Sequence, residues 1–150
     1  MAQVRSAILC DFAQVREGLV FISSGGITRI AAPQPGSPVQ FFAACDLEVL
    51  PFEIGEAHTL TFKVVNATTA KVAWEANLQV NTTANPDGLF PGESLHVPIA
   101  FRVGPFPVEA FGPHDLKVSI DNYETELLTF YVLQMVQPPG QAAEDQSPNE

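Results

Sequence analysis

Three histidines, two cysteines, a serine–glycine run and two groups of acids are the residues of this chain on which chemistry could rest. His58, His96 and His114 are the natural candidates for metal binding or proton transfer. No two stand at the i, i+2 or i, i+4 spacing of a ligand pair, and none shares a motif with a cysteine or a carboxylate. They read as surface histidines. Ser23-Ser24-Gly25-Gly26 resembles a glycine-rich active loop only in composition. It lacks the Gly-x-Ser-x-Gly spacing and strand-to-helix context of a nucleophilic serine, and it has no P-loop lysine, so a hairpin or bulge turn is the expectation. Asp46, Glu48, Glu53 and Glu56 form one acidic group, and Asp121, Glu124 and Glu126 another. Calcium takes about six to eight oxygens, and loop carboxylates can supply them, but neither group follows an EF-hand spacing and a solvated acidic face accounts for both. On these residues the chain is read as non-enzymatic, with no cofactor and no metal.

The charge balance narrows the partners. Seven Lys and Arg stand against seventeen Asp and Glu, a formal charge of −10. Such a surface repels phosphate backbones and anionic lipid alike, so nucleic acid and membrane are excluded as partners. The apolar run after Arg5 reaches only from Ala7 to Cys10 before Asp11 interrupts it, too short for the core of a secretory leader, and no uninterrupted apolar stretch approaches membrane-spanning length. A cytoplasmic setting follows. There Cys10 and Cys45 are expected as reduced, small core residues, although sequence leaves a disulfide between them open. Asn66-Ala67-Thr68 and Asn81-Thr82-Thr83 fit the glycosylation pattern, which a cytoplasmic chain does not use.

The elements that must position these residues are strands. At 150 residues and 46% hydrophobic, with thirteen prolines and ten glycines between apolar runs, the chain suits one core built from many short segments. In Lys71–Asn81, Val72, Trp74, Ala76, Leu78 and Val80 alternate with polar side chains, which predicts a half-buried strand with the single tryptophan toward the core. His58–Val65 alternates in the same way and pairs with it as a hairpin. Ser6–Phe12 and Leu19–Ser23 form an N-terminal hairpin about a turn at Val15–Gly18, and Ile27–Ala31 a third short strand. Val39–Leu50 carries Phe41, Ala43, Cys45, Leu47 and Val49 inward. Phe42 and Ala44 on its other parity imply that the N-terminal hairpin or another subunit covers that side too. Leu95–Val103, with Pro98 placing it at an edge, Leu116–Ile120, the Asp121-Asn122 turn and Glu124–Leu133 complete the set.

The expected fold is therefore all-β, an antiparallel two-layer β-sandwich of eight or nine strands with immunoglobulin-like or jelly-roll-like connections. Residues 1–136 form the single domain, and residues 137–150, with no bulky apolar side chain, read as a disordered acidic tail. True immunoglobulin hallmarks are missing, because the cysteines do not bracket Trp74. Ile8–Ile30 and His114–Val132, with Asp11-x-Ala13, Gly18-Leu19, the glycine pair, Ile120-Asp121 and Phe130-x-Val132, resemble a family of uncharacterised bacterial proteins known only as a domain of unknown function. The resemblance spans Ser6–Leu133. It implies a small cytoplasmic β-sandwich and carries no functional residue.

Loop hydrophobicity remains. Leu89 and Phe90 in the longest loop, Phe106, Val108 and Phe111 in a proline-rich connection, and Phe42 on an outward parity form a candidate interaction surface. The bland alternative is that these side chains plug the ends of the sandwich. The expected function is a structural or interaction protein that binds another protein or copies of itself. The alternative is a ligand-binding module, with Trp74 or Tyr123 as a carbohydrate platform and loop acids for calcium.

Overall fold

In the computed structural model, residues 1–83 and 88–136 are described, and they form nine strands and one turn of 3-10 helix at Pro51–Glu53. The strands are β1 (Gln3–Arg16), β2 (Leu19–Gly25), β3 (Arg29–Ala32), β4 (Pro38–Val49), β5 (Ala57–Asn66), β6 (Val72–Asn81), β7 (Leu95–Pro107), β8 (Gly112–Ile120) and β9 (Tyr123–Gln134). They lie in two sheets, one ordered β2-β1-β4-β7 and the other β3-β9-β8-β5-β6. The all-β two-layer expectation holds. Pairing is antiparallel except for β3, which runs parallel to β9 after the chain crosses between sheets at Gly26–Thr28. The tail expected at residues 137–150 lies outside the described residues.

The order of strands selects the immunoglobulin-like connections. β1, β4 and β7 follow the order of strands A, B and E, and β9, β8, β5 and β6 that of strands G, F, C and C′. The bridge of antibody domains is absent, since β8 carries no cysteine and Cys45 on β4 is a free, buried thiol. Phe62 of β5 marks the centre of the core: its ring stacks on Phe101 of β7 at 4.5 Å, tying one sheet to the other. Phe41 meets Phe130 edge-on at 5.1 Å on the same principle. Trp74, expected at the centre, instead sits half-buried on the edge strand β6, 6.2 Å from Phe101.

The alternation of each strand decides what it buries. On β5 and β8, His58, Leu60, Phe62, Val64, His114, Leu116, Val118 and Ile120 all point inward and are buried. Tight turns hold the hairpins in register. Glu17 and Gly18, at φ 51° and 74°, and Asp121 and Asn122, at φ 48° and 71°, both have the paired positive φ of a type I′ turn, whose twist matches the strands it joins. On β7 the register against β4 shifts at Gly104, where a Cβ would come within 2.7 Å of the Val39 carbonyl oxygen, so only glycine fits. Beyond it the strand continues past its prolines, which are tolerated because β7 is an edge.

The N-terminal hairpin departs from a flat sheet. β2 and β7 stand at opposite edges of the four-stranded sheet, yet they touch. The β1–β2 hairpin therefore curls over the outer face of its own sheet. A second, small cluster lies beneath it, in which Cys10, Ala13 and Ala44 are buried and Ile8, Val20, Phe42 and Ala100 pack around them. The outward parity of Phe42 and Ala44 finds its cover here, from the hairpin of the same chain.

Candidate functional site

The six residues expected to form a surface separate in the structure. Phe106 and Val108 are fully buried, which corrects their assignment to an exposed connection. The strand that continues past Gly104 pairs Phe106 with Val39 and aims its ring at Phe41, 6.3 Å away, while Val108 is fixed by backbone bonds to Gly36 and Ser37. Both plug the end of the sandwich. Phe111 is half-buried against the same core, and Phe42 is half-buried beneath the hairpin, its ring 5.2 Å from that of Phe12. Leu89 is half-buried and Phe90 is 78% exposed in a loop whose residues 84–87 lie outside the described residues.

The apolar surface lies elsewhere. On the β1–β2 hairpin, Phe12, Val15, Leu19, Phe21 and Ile22 are all between 41% and 63% exposed. Cross-strand pairing sorts the hairpin into two faces. Ala13 opposite Ile22 and Val15 opposite Val20 make one apolar face, and Gln14 opposite Phe21, Phe12 opposite Ser23 and Arg16 opposite Leu19 make the other. Sequence reasoning missed this set. The signal was present in Leu19-Val20-Phe21-Ile22, four apolar residues without alternation, which a strand covered on one face does not need. A smaller apolar row, Tyr131, Leu133 and Met135, runs along β9 and just past its end, each 38–52% exposed.

Under the hairpin tip the curl leaves a groove of about 520 Å³ between Gly18, Leu19, Val20 and Ile22 above and Ile8, Ala44 and Pro98 below. Its polar end is a pair, His96 Nδ1 with Asp46 Oδ2 at 2.8 Å. A second, smaller hollow of about 80 Å³ lies by the Lys71–Glu109 ion pair and His114.

Each histidine has a structural partner. His58 and His114 are 2% exposed, which corrects their reading as surface residues. The alternation of His58 with Leu60, Phe62 and Val64 already placed it inward. His58 Nδ1 donates to Asp121 Oδ2 at 2.7 Å, and the Thr59 amide donates to Asp121 Oδ1 at 2.8 Å. Burial pushes the Asp121 carboxyl up, but these two bonds and the imidazole outweigh it, so its pKa lies below the usual carboxylate value. The far nitrogen, His58 Nε2, is buried without a partner among the described residues. His114 stacks on Phe130 at 5.6 Å, with Nδ1 toward the Gly112 carbonyl.

The acids are dispersed rather than convergent. Glu48 accepts from Gln3 and Arg5, and the Gln3 bond foremost holds its carboxyl below the ordinary range. Glu53 accepts from the Ala2 amide, and Glu124 pairs with Lys117. Among the described residues no three His, Cys, Asp or Glu side chains gather as a cation would require. Trp74, packed on Phe101, offers no open platform, whereas Tyr123 is 58% exposed at the start of β9.

The cysteines face opposite ways. Cys45 points into the main core and Cys10 into the cluster under the hairpin, which removes the possibility of a bridge and corrects the expectation that both lie in the core between the sheets. Burial foremost pushes the Cys45 thiol up to about 12 and raises that of Cys10, so both are inert at neutral pH. No helix among the described residues is long and apolar enough to cross a membrane. Compared with known families, residues 5–133 match the model of a family of unknown function, DUF6941. No curated protein matches.

Proposed function

The chain belongs to that family, and from this premise we propose that it is a non-enzymatic protein-binding β-sandwich, acting in the cytoplasm, whose contact surface is the β1–β2 hairpin. One observation carries the reading: five large apolar side chains within eleven residues, Phe12 to Ile22, are each more than two-fifths exposed on an ordered hairpin. Isolated exposed apolar residues are ordinary, but five on the two faces of one edge hairpin, with Phe12, Leu19 and Phe21 on the same face, support a docking surface. Aromatic residues at its centre are of the kind that carry most of an interface's binding energy.

Native mass spectrometry tests this on the protein purified gently from its own cells, beside the double variant Leu19→Thr/Phe21→Thr. The wild type should carry protein mass beyond one chain, and the variant should lose that mass while keeping its melting temperature. A wild type that runs as a bare single chain overturns the proposal.

The groove beneath the hairpin favours a second reading. Its volume of about 520 Å³ falls within the about 300–1,000 Å³ usual for small-molecule sites, and its mainly apolar lining with one polar pair at the rim suits an apolar ligand better than a sugar. The same spectrum separates the two readings. A small adduct on a single chain, lost on Ala44→Leu, would support ligand binding.

A further inference from the structure

The partner that fits the hairpin edge is a second copy of this chain. Resting on the protein-binding reading above, we propose that β2 pairs antiparallel with β2 of another copy about a twofold axis at Phe21, joining two four-stranded sheets into one of eight strands.

The free edge of β2 sets the register. In a hairpin with a two-residue type I′ turn, the residues next to the turn form a hydrogen-bonded pair, and such pairs then alternate along the ladder. Leu19, Phe21 and Ser23 therefore bond inward to Arg16, Gln14 and Phe12. The N–H and C=O groups of Val20 and Ile22 point outward, and β2 has no strand partner but β1 among the described residues. At Ser24 the backbone turns to φ 53°, which ends the regular edge. A ladder confined to Leu19–Ser23 has a symmetric solution centred on Phe21. It bonds Val20 to Ile22 of the other copy, and the reverse, and sets Phe21 against its own counterpart in a non-hydrogen-bonded pair, where side chains approach closest. Leu19 then lies against Ser23 of the other copy. Phe12, Leu19 and Phe21 share a face of each hairpin, so the two copies bring six exposed apolar side chains into one cluster.

Charge permits this union where the whole chain would resist it. The net charge of −10 repels copies at long range, yet β2 carries no charged residue. The ladder from Leu19 to Ser23 is itself uncharged, and Arg16 lies one strand back on β1 beside Leu19, so no like charges meet across it. Other edges are defended. β7 carries Pro98, Pro105 and Pro107, β6 presents Glu75, Asn77 and Gln79, and β3 is only four residues long with Arg29. Among the described edge strands, β2 alone has neither charge nor proline, the usual devices against pairing.

Single-cysteine crosslinking on the purified full chain, with analytical ultracentrifugation, tests the register. Facing non-hydrogen-bonded residues lie about 4.5 Å apart at Cα, within disulfide reach, whereas Leu19 and its own counterpart would be about 13 Å apart along the ladder. Native Cys10 and Cys45 are buried and do not compete. Under mild oxidation Phe21→Cys should form a covalent dimer and Leu19→Cys should not. Unmodified protein should sediment at twice the chain mass, and increasingly so as salt screens the net charge. Ile22→Pro should return it to one chain mass with an unchanged circular dichroism spectrum, because the lost N–H faces away from β1. Equal crosslinking at both positions, or a dimer indifferent to Ile22→Pro, overturns the pairing. A chain that stays monomeric but retains another protein through Leu19 and Phe21 overturns the second copy and leaves protein binding standing. A monomer with no partner overturns both.

Discussion

Hairpins β1–β2 and β5–β6 each have a free outer edge, but they dispose of their side chains in opposite ways. In β5–β6 the outward rungs are polar and mutually satisfied: Lys63 faces Glu75 at 3.4 Å and Thr61 Oγ1 bonds Asn77 at 2.7 Å. Its inward rungs, Leu60 with Leu78 and Val64 with Trp74, supply the core. In β1–β2, Cys10 is buried in the small cluster with Ala44 and Phe12 leans on Phe42 beside it, whereas Leu19 and Phe21 are more than half exposed. The contrast separates the side chains that hold the fold from those that the proposed contact would use. One hairpin's apolar area is used within the fold, and much of the other's remains in solvent.

The largest effect should come from the side whose contacts are internal. Phe62→Ala removes a fully buried ring stacked between the sheets and should cost about 3–5 kcal/mol in urea unfolding. A loss under about 1 kcal/mol would mean that the core is centred elsewhere. Trp74→Ala should cost less, about 2 kcal/mol, because its ring is half-buried at an edge and the site can partly refill with water. Tryptophan emission would sharpen the point: intermediate quenching by iodide fits a half-buried ring, and full protection does not.

Asp121→Asn comes next and carries a pH signature. The change leaves His58 buried with a weaker acceptor, at a cost of about 1–2 kcal/mol near neutral pH after allowing for the partial exposure of Asp121. Because the folded carboxyl titrates below its unfolded value of about 3.9, its contribution is complete above that value and is lost as pH falls through the lowered folded one. The gap between wild type and variant should therefore be constant at neutral pH and shrink below about pH 4. A gap that widens in acid would show that the Asp121 pKa is raised instead.

Much of this could be read before the structure, and the misreadings share one cause. Strict alternation in β5, β6 and β8 gave their inward faces directly, and the two-sided apolar pattern at Phe42 and Ala44 identified a strand covered on both sides. Phe106 and Val108 were misplaced because three prolines nearby argue against a strand; Pro98 already pointed to an edge, but the topology was needed to show that the strand runs on along that edge to Pro107, where a missing N–H costs little. His58 was misplaced although its parity pointed inward, because its partner Asp121 lies sixty-three residues away in the chain. The exposure of Phe21 was hidden for the same reason. An apolar residue on a strand looks identical in sequence whether a second sheet covers it or nothing does, and that is decided by long-range packing.

The smallest stability effect should come from the residues with the largest proposed role. Leu19→Thr/Phe21→Thr removes two side chains that are 63% and 51% exposed and keeps residues suited to strands, so unfolding free energy should stay within about 0.5 kcal/mol of wild type. Measured at low concentration, where a weak complex is dissociated, the two proteins should unfold together. Measured at high concentration, the wild type alone should gain stability, since binding to the folded state raises it by mass action. If the double variant instead loses several kcal/mol at every concentration, Leu19 and Phe21 belong to the fold as Phe62 does, and the division between the two hairpins disappears.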